Sequence, residues 1–288
     1  MHWFELGQDF YSGSWLPTQF SWRIGIAILF FFLAFIGLHL LRRGLGAPSP
    51  GKQADVAPPP KAPAFERFEL GGRLYHWANF AVLIGLLLSG FALFFPGIMP
   101  GIGPSWLWVH VVCAWVFIGF ILLHILFAFL WARPRDMWAV GRHDWHDLGR
   151  SVRYYAGNVR TVARHGKFDV WQKIYHAFIT LLSLIMVATG ISLFISAMVL
   201  ATLGADWMRE NRLIHDVFAW VFFAAIVTHI YIRLLRLNRA KLVSMFTGRI
   251  PAAEFRRWHD WRLWRPKPEA ELEPTKASGE DLKPLGRH

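Results

Sequence analysis

Two histidines, His110 and His124, stand fourteen residues apart inside one apolar stretch, and the same spacing recurs at His215 and His229. On an α-helix fourteen residues fall about 40° short of four turns and rise about 21 Å, so each pair shares one helix face at two depths. Imidazole inside a membrane is costly and marks functional paths. One way to satisfy it is a b-type haem held by two axial histidines. The spacing suits two haems stacked across a bilayer, the apparatus of a transmembrane electron carrier.

Such rings need long apolar helices to hold them. The chain has 288 residues, 55% of them hydrophobic and 16% aromatic, with several apolar stretches of membrane-spanning length. This predicts an all-α membrane protein with five spans near residues 24–41, 74–95, 106–131, 174–200 and 213–235. The last four form an up-and-down four-helix di-haem bundle, the architecture that places ligands on facing helices, and the first is an extra N-terminal helix. Cys113 is the single cysteine, which excludes an internal disulfide, a Cys-x-x-Cys-His haem attachment and a four-cysteine cluster.

The net charge of +12 reads as topology rather than as a nucleic-acid footprint. Residues 1–22 and 96–105 carry no Lys or Arg, and 201–212 carries only Arg209 and Arg212. By contrast, 42–73 holds six, 132–173 holds nine, and thirteen more follow from Arg233 onward. The positive-inside rule then places the N-terminus outside and the C-terminus in the cytoplasm. The first span has Glu5 and Asp9 before it and Arg42 and Arg43 after it, the reverse of a secretory leader, and reads as an uncleaved anchor.

Four regions follow: an outer segment with its anchor (1–43), a proline-rich cytoplasmic linker that leaves the anchor separable (44–72), the bundle (73–240), and a basic cytoplasmic tail (241–288), disordered from 268. Trp106 and Trp108 are expected at the outer interface, and His39 reaches the cytoplasmic one. The loop between the third and fourth spans is expected to include a helix lying on the membrane surface, with His143 and His146 on its solvated face. No repeat symmetry is read in the chain, which argues against a histidine-relay transporter.

Depth sorts the intramembrane histidines. His110 and His215 come early in inward-running spans and pair at the outer level. His76 and His176 begin outward-running spans, while His124 and His229 come late in inward-running ones, so all four lie at the cytoplasmic level. Spacing alone favours His124 with His229 for the inner haem, and His76 with His229 competes. Propionates would find Arg209 or Arg212 outside and Arg73, Lys173 or Arg233 inside.

Arg73-Leu74-Tyr75-His76-Trp77 resembles the R-x-x-H-W opening of the cytochrome b subunits of respiratory formate dehydrogenases. Gly166-Lys167-Phe168-Asp169-Val170-Trp171-Gln172-Lys173 is similar to that family's GKYNxGQK segment. Leu213-Ile214-His215, then Thr228-His229-Ile230-Tyr231, match its LIH and IHxY pattern. The resemblance spans roughly residues 66–240. It implies haem ligands His76 and His229 on the cytoplasmic side and His110 and His215 on the outer side. It also implies two b-type haems, quinone as electron acceptor, and a place in a formate:quinone oxidoreductase. The partners would be an iron-sulfur subunit and a molybdenum or tungsten catalytic subunit on the outer face, in a trimeric assembly. Gln172 carries over as a quinone neighbour. Asp169 stands where the family has Asn, and His176 and His124 are additional; all three become quinone candidates here. Cytochromes b of nickel-iron hydrogenases and thiosulfate reductases share the histidine plan, as would a standalone b561-like quinone reductase. The Gly166–Lys173 segment points to formate.

Overall fold

The computed structural model describes residues 15–44, 63–95, 103–130, 137, 140–155, 164–235 and 238–268. Among them are eight helices and a two-stranded ribbon: α1 (Trp15–Gly44), β1 (Ala64–Glu66), α2 (Leu70–Phe94), α3 (Gly103–Leu130), α4 (Arg142–Tyr155), α5 (Val170–Phe194), α6 (Ser196–Leu234), α7 (Arg239–Thr247), β2 (Arg249–Pro251) and α8 (Ala252–Trp258).

Five helices are long and apolar enough to cross a membrane: Arg23–Leu41, Leu70–Phe94, Ser105–Phe127, Val170–Phe194 and Asp206–Leu234. Their outward faces carry Leu, Ile and Phe, such as Leu122, Leu123 and Leu126, because lipid rather than water is the solvent they meet. The chain is an all-α multi-pass membrane protein. Every span shifts from the hydropathy reading, most at Val170–Phe194 and Asp206–Leu234, which were expected at 174–200 and 213–235. The first span opens at Arg23, so that side is not without basic charge. The fourth bundle helix starts earlier than expected, after a break at Gly204 (φ +82°) that glycine tolerates because it has no Cβ. Its 29 apolar-rich residues rise about 43 Å against a hydrocarbon core of about 30 Å, so the turns bearing Arg209 and Arg212 project beyond the core.

The bundle is two helical hairpins, α2 with α3 and α5 with α6, closed around an apolar centre of Phe117, Leu182, Phe222, Ala225 and Ile226. These residues come from α3, α5 and α6 at the middle of the spans. Val82, Leu83, Leu86 and Leu87 of α2 complete the layer.

The anchor packs against the bundle. α1 packs along α6, where Gly25 lies against the Trp220 indole so closely that a Cβ would overlap the ring. His39, expected to reach the interface, instead has its Nδ1 2.6 Å from the Tyr231 hydroxyl on α6. Hydropathy locates a span but is blind to which helix it touches. Gly25→Leu forces overpacking, which costs about 1–3 kcal/mol, and should lower the unfolding midpoint of the detergent-solubilised chain.

The ends of the linker and the tail are folded together rather than free. β1 pairs antiparallel with β2, with Phe65 opposite Ile250. Phe65, Ile250, Ala252 and Phe255 form a second core, flanked by Trp261 and Trp264. The cap thus covers the starts of α2 and α5 with residues 238–268, which sequence assigned to a tail. Residues 269–288 and most of the linker lie outside the described residues. The surface-helix expectation meets α4 at Arg142–Tyr155, whereas the side chains of His143 and His146 lie outside those described.

Candidate functional site

Two pairs of histidines face one another across the bundle, one at each of the two levels that the charge bias assigns to the outside and to the cytoplasm. At the outer level the ring centroids of His110 and His215 are 6.4 Å apart. At the cytoplasmic level those of His76 and His229 are 6.5 Å apart. An axial imidazole nitrogen sits about 2 Å from its metal and about 1 Å from its own ring centre, so two rings on opposite sides of one iron have centroids about 6 Å apart. Both pairs meet that spacing. The 6.5 Å pair sets His229 opposite His76, and His124 lies against His176 at 5.6 Å instead.

The outer rings are held by hydroxyls. Ser89 Oγ donates to the Gly85 carbonyl at 2.7 Å, and its oxygen lies 2.9 Å from His110 Nδ1. Thr189 Oγ1 donates to the Ile185 carbonyl at 2.7 Å and lies 2.8 Å from His215 Nδ1. Each hydroxyl has one proton, and that proton is committed to a helix carbonyl. It therefore accepts from the ring, which places the imidazole proton on Nδ1 and leaves Nε2 with a lone pair. Such second-shell bonds fix the tautomer and aim of a metal-ligating histidine. The next residue is glycine in both helices: a Cβ at Gly90 would stand 3.5 Å from His110 Cε1, and one at Gly190 would stand 3.4 Å from His215 Cε1. The absence of side chains there lets the rings lie close to α2 and α5.

The cytoplasmic level is a belt of aromatic rings from all four bundle helices. Tyr175 stacks on His229 at 5.0 Å, and Tyr75 stacks on His124 at 5.6 Å. The Tyr175 hydroxyl donates to the Ala225 carbonyl, one turn before His229. The Tyr75 hydroxyl donates to the Phe120 carbonyl, one turn before His124. The two hairpins are thus internal copies, contrary to the expectation of no repeat. Tyr75, His76, Ser89 and Gly90 recur one hundred residues on as Tyr175, His176, Thr189 and Gly190, and His110 and His124 recur as His215 and His229. The signal was present in sequence, but only the chemistry-bearing positions match, and generic apolar residues fill the intervals.

Asp169 and Gln172 lie at the same end and make a capping box at the start of α5. Gln172 N–H donates to Asp169 Oδ1 at 2.9 Å, and Asp169 N–H donates to Gln172 Oε1 at 3.1 Å. Asp169 Oδ2 accepts from Lys241 Nζ at 2.9 Å. Both carboxylate oxygens are therefore engaged in structure. Burial would raise this carboxyl, but Lys241 and His165 outweigh it and hold it well below the usual carboxylate range. Asp-x-x-Gln before an apolar run is a helix-start signature that the sequence reading passed over.

Around this pair the cap buries charge that sequence analysis missed altogether. Lys241 is 3% exposed and Arg67 2%. Burial, then Arg233, bring the Arg67 guanidinium down to about 9. His165 and His259 donate from Nδ1 to the one Gly166 carbonyl, at 2.8 and 2.7 Å. Burial and Lys241 lower His165 to about 3, and burial with His165 beside it takes His259 well below its ordinary value. Both rings are neutral at physiological pH. Of the expected propionate partners, Lys173 is engaged by Asp144 at 2.8 Å, Arg212 lies 3.8 Å from Asp216, Arg209 pairs with Asp206 at 2.9 Å, and Arg73 donates to the Phe246 carbonyl.

The sequence profile of prokaryotic cytochrome b561 matches the chain over residues 4–140 and 68–248. Among curated proteins none matches it. The profile covers more than half of the chain, including every span and all six intramembrane histidines of the two hairpins. On that match and on the paired rings, the chain belongs to the prokaryotic cytochrome b561 family: a multi-pass bacterial membrane protein that transfers electrons on b-type haem.

Proposed function

We propose that the chain is the cytochrome b subunit of a formate dehydrogenase, taking electrons from an iron-sulfur subunit on the outer face and delivering them to quinone near the cytoplasmic face. The observation that carries the electron path is the pair of facing histidine couples, 6.4 Å apart outside and 6.5 Å apart inside. His110 and His215 would hold the outer haem, and His76 and His229 the inner one. Bound there, haem supplies reversible one-electron transfer. Fourteen residues of α3 and of α6 set the two levels about 21 Å apart, and the apolar layer around Phe117 and Phe222 keeps water from between them. Ser89 and Thr189 hold the outer rings by Nδ1, which would leave Nε2 free for iron.

Quinone belongs at the cytoplasmic level, where Gln172, Asp169, His176 and His124 all lie. Formate as the donor is supported by the resemblance of Gly166–Lys173, and with it a molybdenum or tungsten catalytic partner and a trimeric assembly. The test is a redox difference spectrum of native membranes after formate is added, with pulldown of the tagged chain. Formate-reducible b haem and a co-purifying iron-sulfur subunit are expected. Haem that only dithionite or quinol reduces, on a chain that purifies alone, sinks the formate reading. The family match, which is to prokaryotic cytochrome b561 in general, is met equally by the second reading, a standalone quinone reductase.

Thr189→Val keeps the volume and removes the acceptor for His215 Nδ1–H. Loss of a second-shell partner weakens metal-site affinity by about 10–100-fold, so haem should leave the outer site that much faster when the purified protein is challenged with an apo-globin scavenger. The inner site should be unchanged.

A further inference from the structure

We propose that His124 and His176 form a third haem site, the counterpart of His76 and His229 generated by the internal repeat. The proposal rests on the bis-histidine reading of His76 and His229, and it takes His124 and His176 from quinone to iron. Exchange the two hairpins, and His76 of α2 becomes His176 of α5, while His229 of α6 becomes His124 of α3. The couple between α2 and α6 therefore maps onto the couple between α5 and α3. The outer couple, His110 with His215, maps onto itself.

The equivalence extends beyond the histidines. In each copy a tyrosine precedes the first histidine of the hairpin and stacks on the third, with the same 23° between ring planes. In each copy that tyrosine's hydroxyl donates to the carbonyl one turn before the histidine it stacks on. Tyr75 thus orients His124 in the way Tyr175 orients His229. The ring contacts form two matching trios, His76 with His229 and Tyr175, and His176 with His124 and Tyr75, joined along the chain at Tyr75–His76 and Tyr175–His176. The His124 and His176 rings are 5.6 Å apart and tilted by 52°, against 6.5 Å and 47° for their counterparts. Opening the couple to the axial spacing takes less than one ångström, within reach of side-chain torsions. Both histidines sit in apolar spans, where two facing imidazoles gain most from a shared metal.

The experiment is a count. The full-length protein is purified in detergent with haem supplied during expression, and b haem is quantified by pyridine haemochrome against amino-acid analysis, alongside low-spin EPR. Three haems per chain and three low-spin signals are expected. H124L and H176L should each lose one haem and one signal and keep the other two, which also reports that they fold. A wild-type ratio of two that both variants retain overturns the proposal and returns these histidines to the quinone site. If the variants misfold and lose all haem together, the wild-type ratio decides by itself: three supports the third site and two overturns it. A ratio of two falling to one in H76L and H229L sinks only the third site, whereas a folded chain without haem sinks the reading beneath it as well.

Discussion

His215→Ala should yield a chain with one b haem fewer and should cut electron transfer from an external donor to quinone by more than about 100-fold. Even a second-shell partner is worth about 10–100-fold in metal affinity, and here an axial ligand itself is removed. The loss extends past one bond. Thr189 Oγ1 loses the Nδ1–H it accepts, the space beside Gly190 empties, and His110 keeps a lone pair with no iron to share. Haem at the cytoplasmic level should remain dithionite-reducible, because His76 and His229 lie across the apolar layer. Stopped-flow reduction by donor and a haem count on the same preparation check this. Full haem content in the variant would mean that His215 is a packed ring rather than a ligand.

Asp169→Ala is expected to destabilise the fold by about 3–5 kcal/mol, the cost of removing one partner from a buried ion pair. Lys241 has nowhere else to place its charge, being 3% exposed with its ammonium 4.8 Å from the Trp258 ring. The substitution also removes the N-cap of α5, worth about 1 kcal/mol in its own right. Asp169→Asn keeps a cap acceptor without the charge and should fall between the two. Thermal unfolding in detergent, read by tryptophan fluorescence, separates them. An Asp169→Ala chain that melts with the wild type would refute the buried pair.

The same cluster predicts the acid limb of stability. His165 and His259 have lowered values in the folded state, so below 6.5 the unfolded chain binds protons that the folded chain refuses. Stability from these rings is complete above 6.5 and declines as pH falls toward about 3. Asp169, also lowered, adds a loss that begins only below the ordinary carboxylate value, near 4. A melting midpoint that falls first between pH 6.5 and 5 is the expected result. His259→Gln should flatten that first step and leave the second.

Much of the membrane part is legible in the sequence. Span number, helix class and the depth of His76, His110, His124, His176, His215 and His229 follow from apolar run length and the rise of an α-helix. The choice between His76 and His124 as the ring facing His229 did not follow from spacing, whereas the resemblance named His76. The spacing of fourteen favoured His124, yet the structure turns that ring toward His176, because Tyr75 takes up the face of His124 and Tyr175 that of His229. Asp169 and Gln172 were legible as a helix start as well as quinone candidates, and the structure shows their capping box.

What the sequence determined alone is what local chemistry controls. Hydropathy over twenty residues decides whether a segment enters lipid, and 1.5 Å per residue decides how deep a side chain then lies. What only the tertiary structure decided is who faces whom. The rotation of each helix, the packing of α1 on α6, and the burial of Arg67 and Lys241 under a cap made from both ends of the bundle depend on contacts between residues far apart in the chain, 192 positions for His39 with Tyr231, 177 for Arg67 with Ser244 and 72 for Lys241 with Asp169. No local pattern encodes such pairings, since apolar helices in lipid gain nothing from burying one face over another until small residues, hydroxyls and rings meet across an interface.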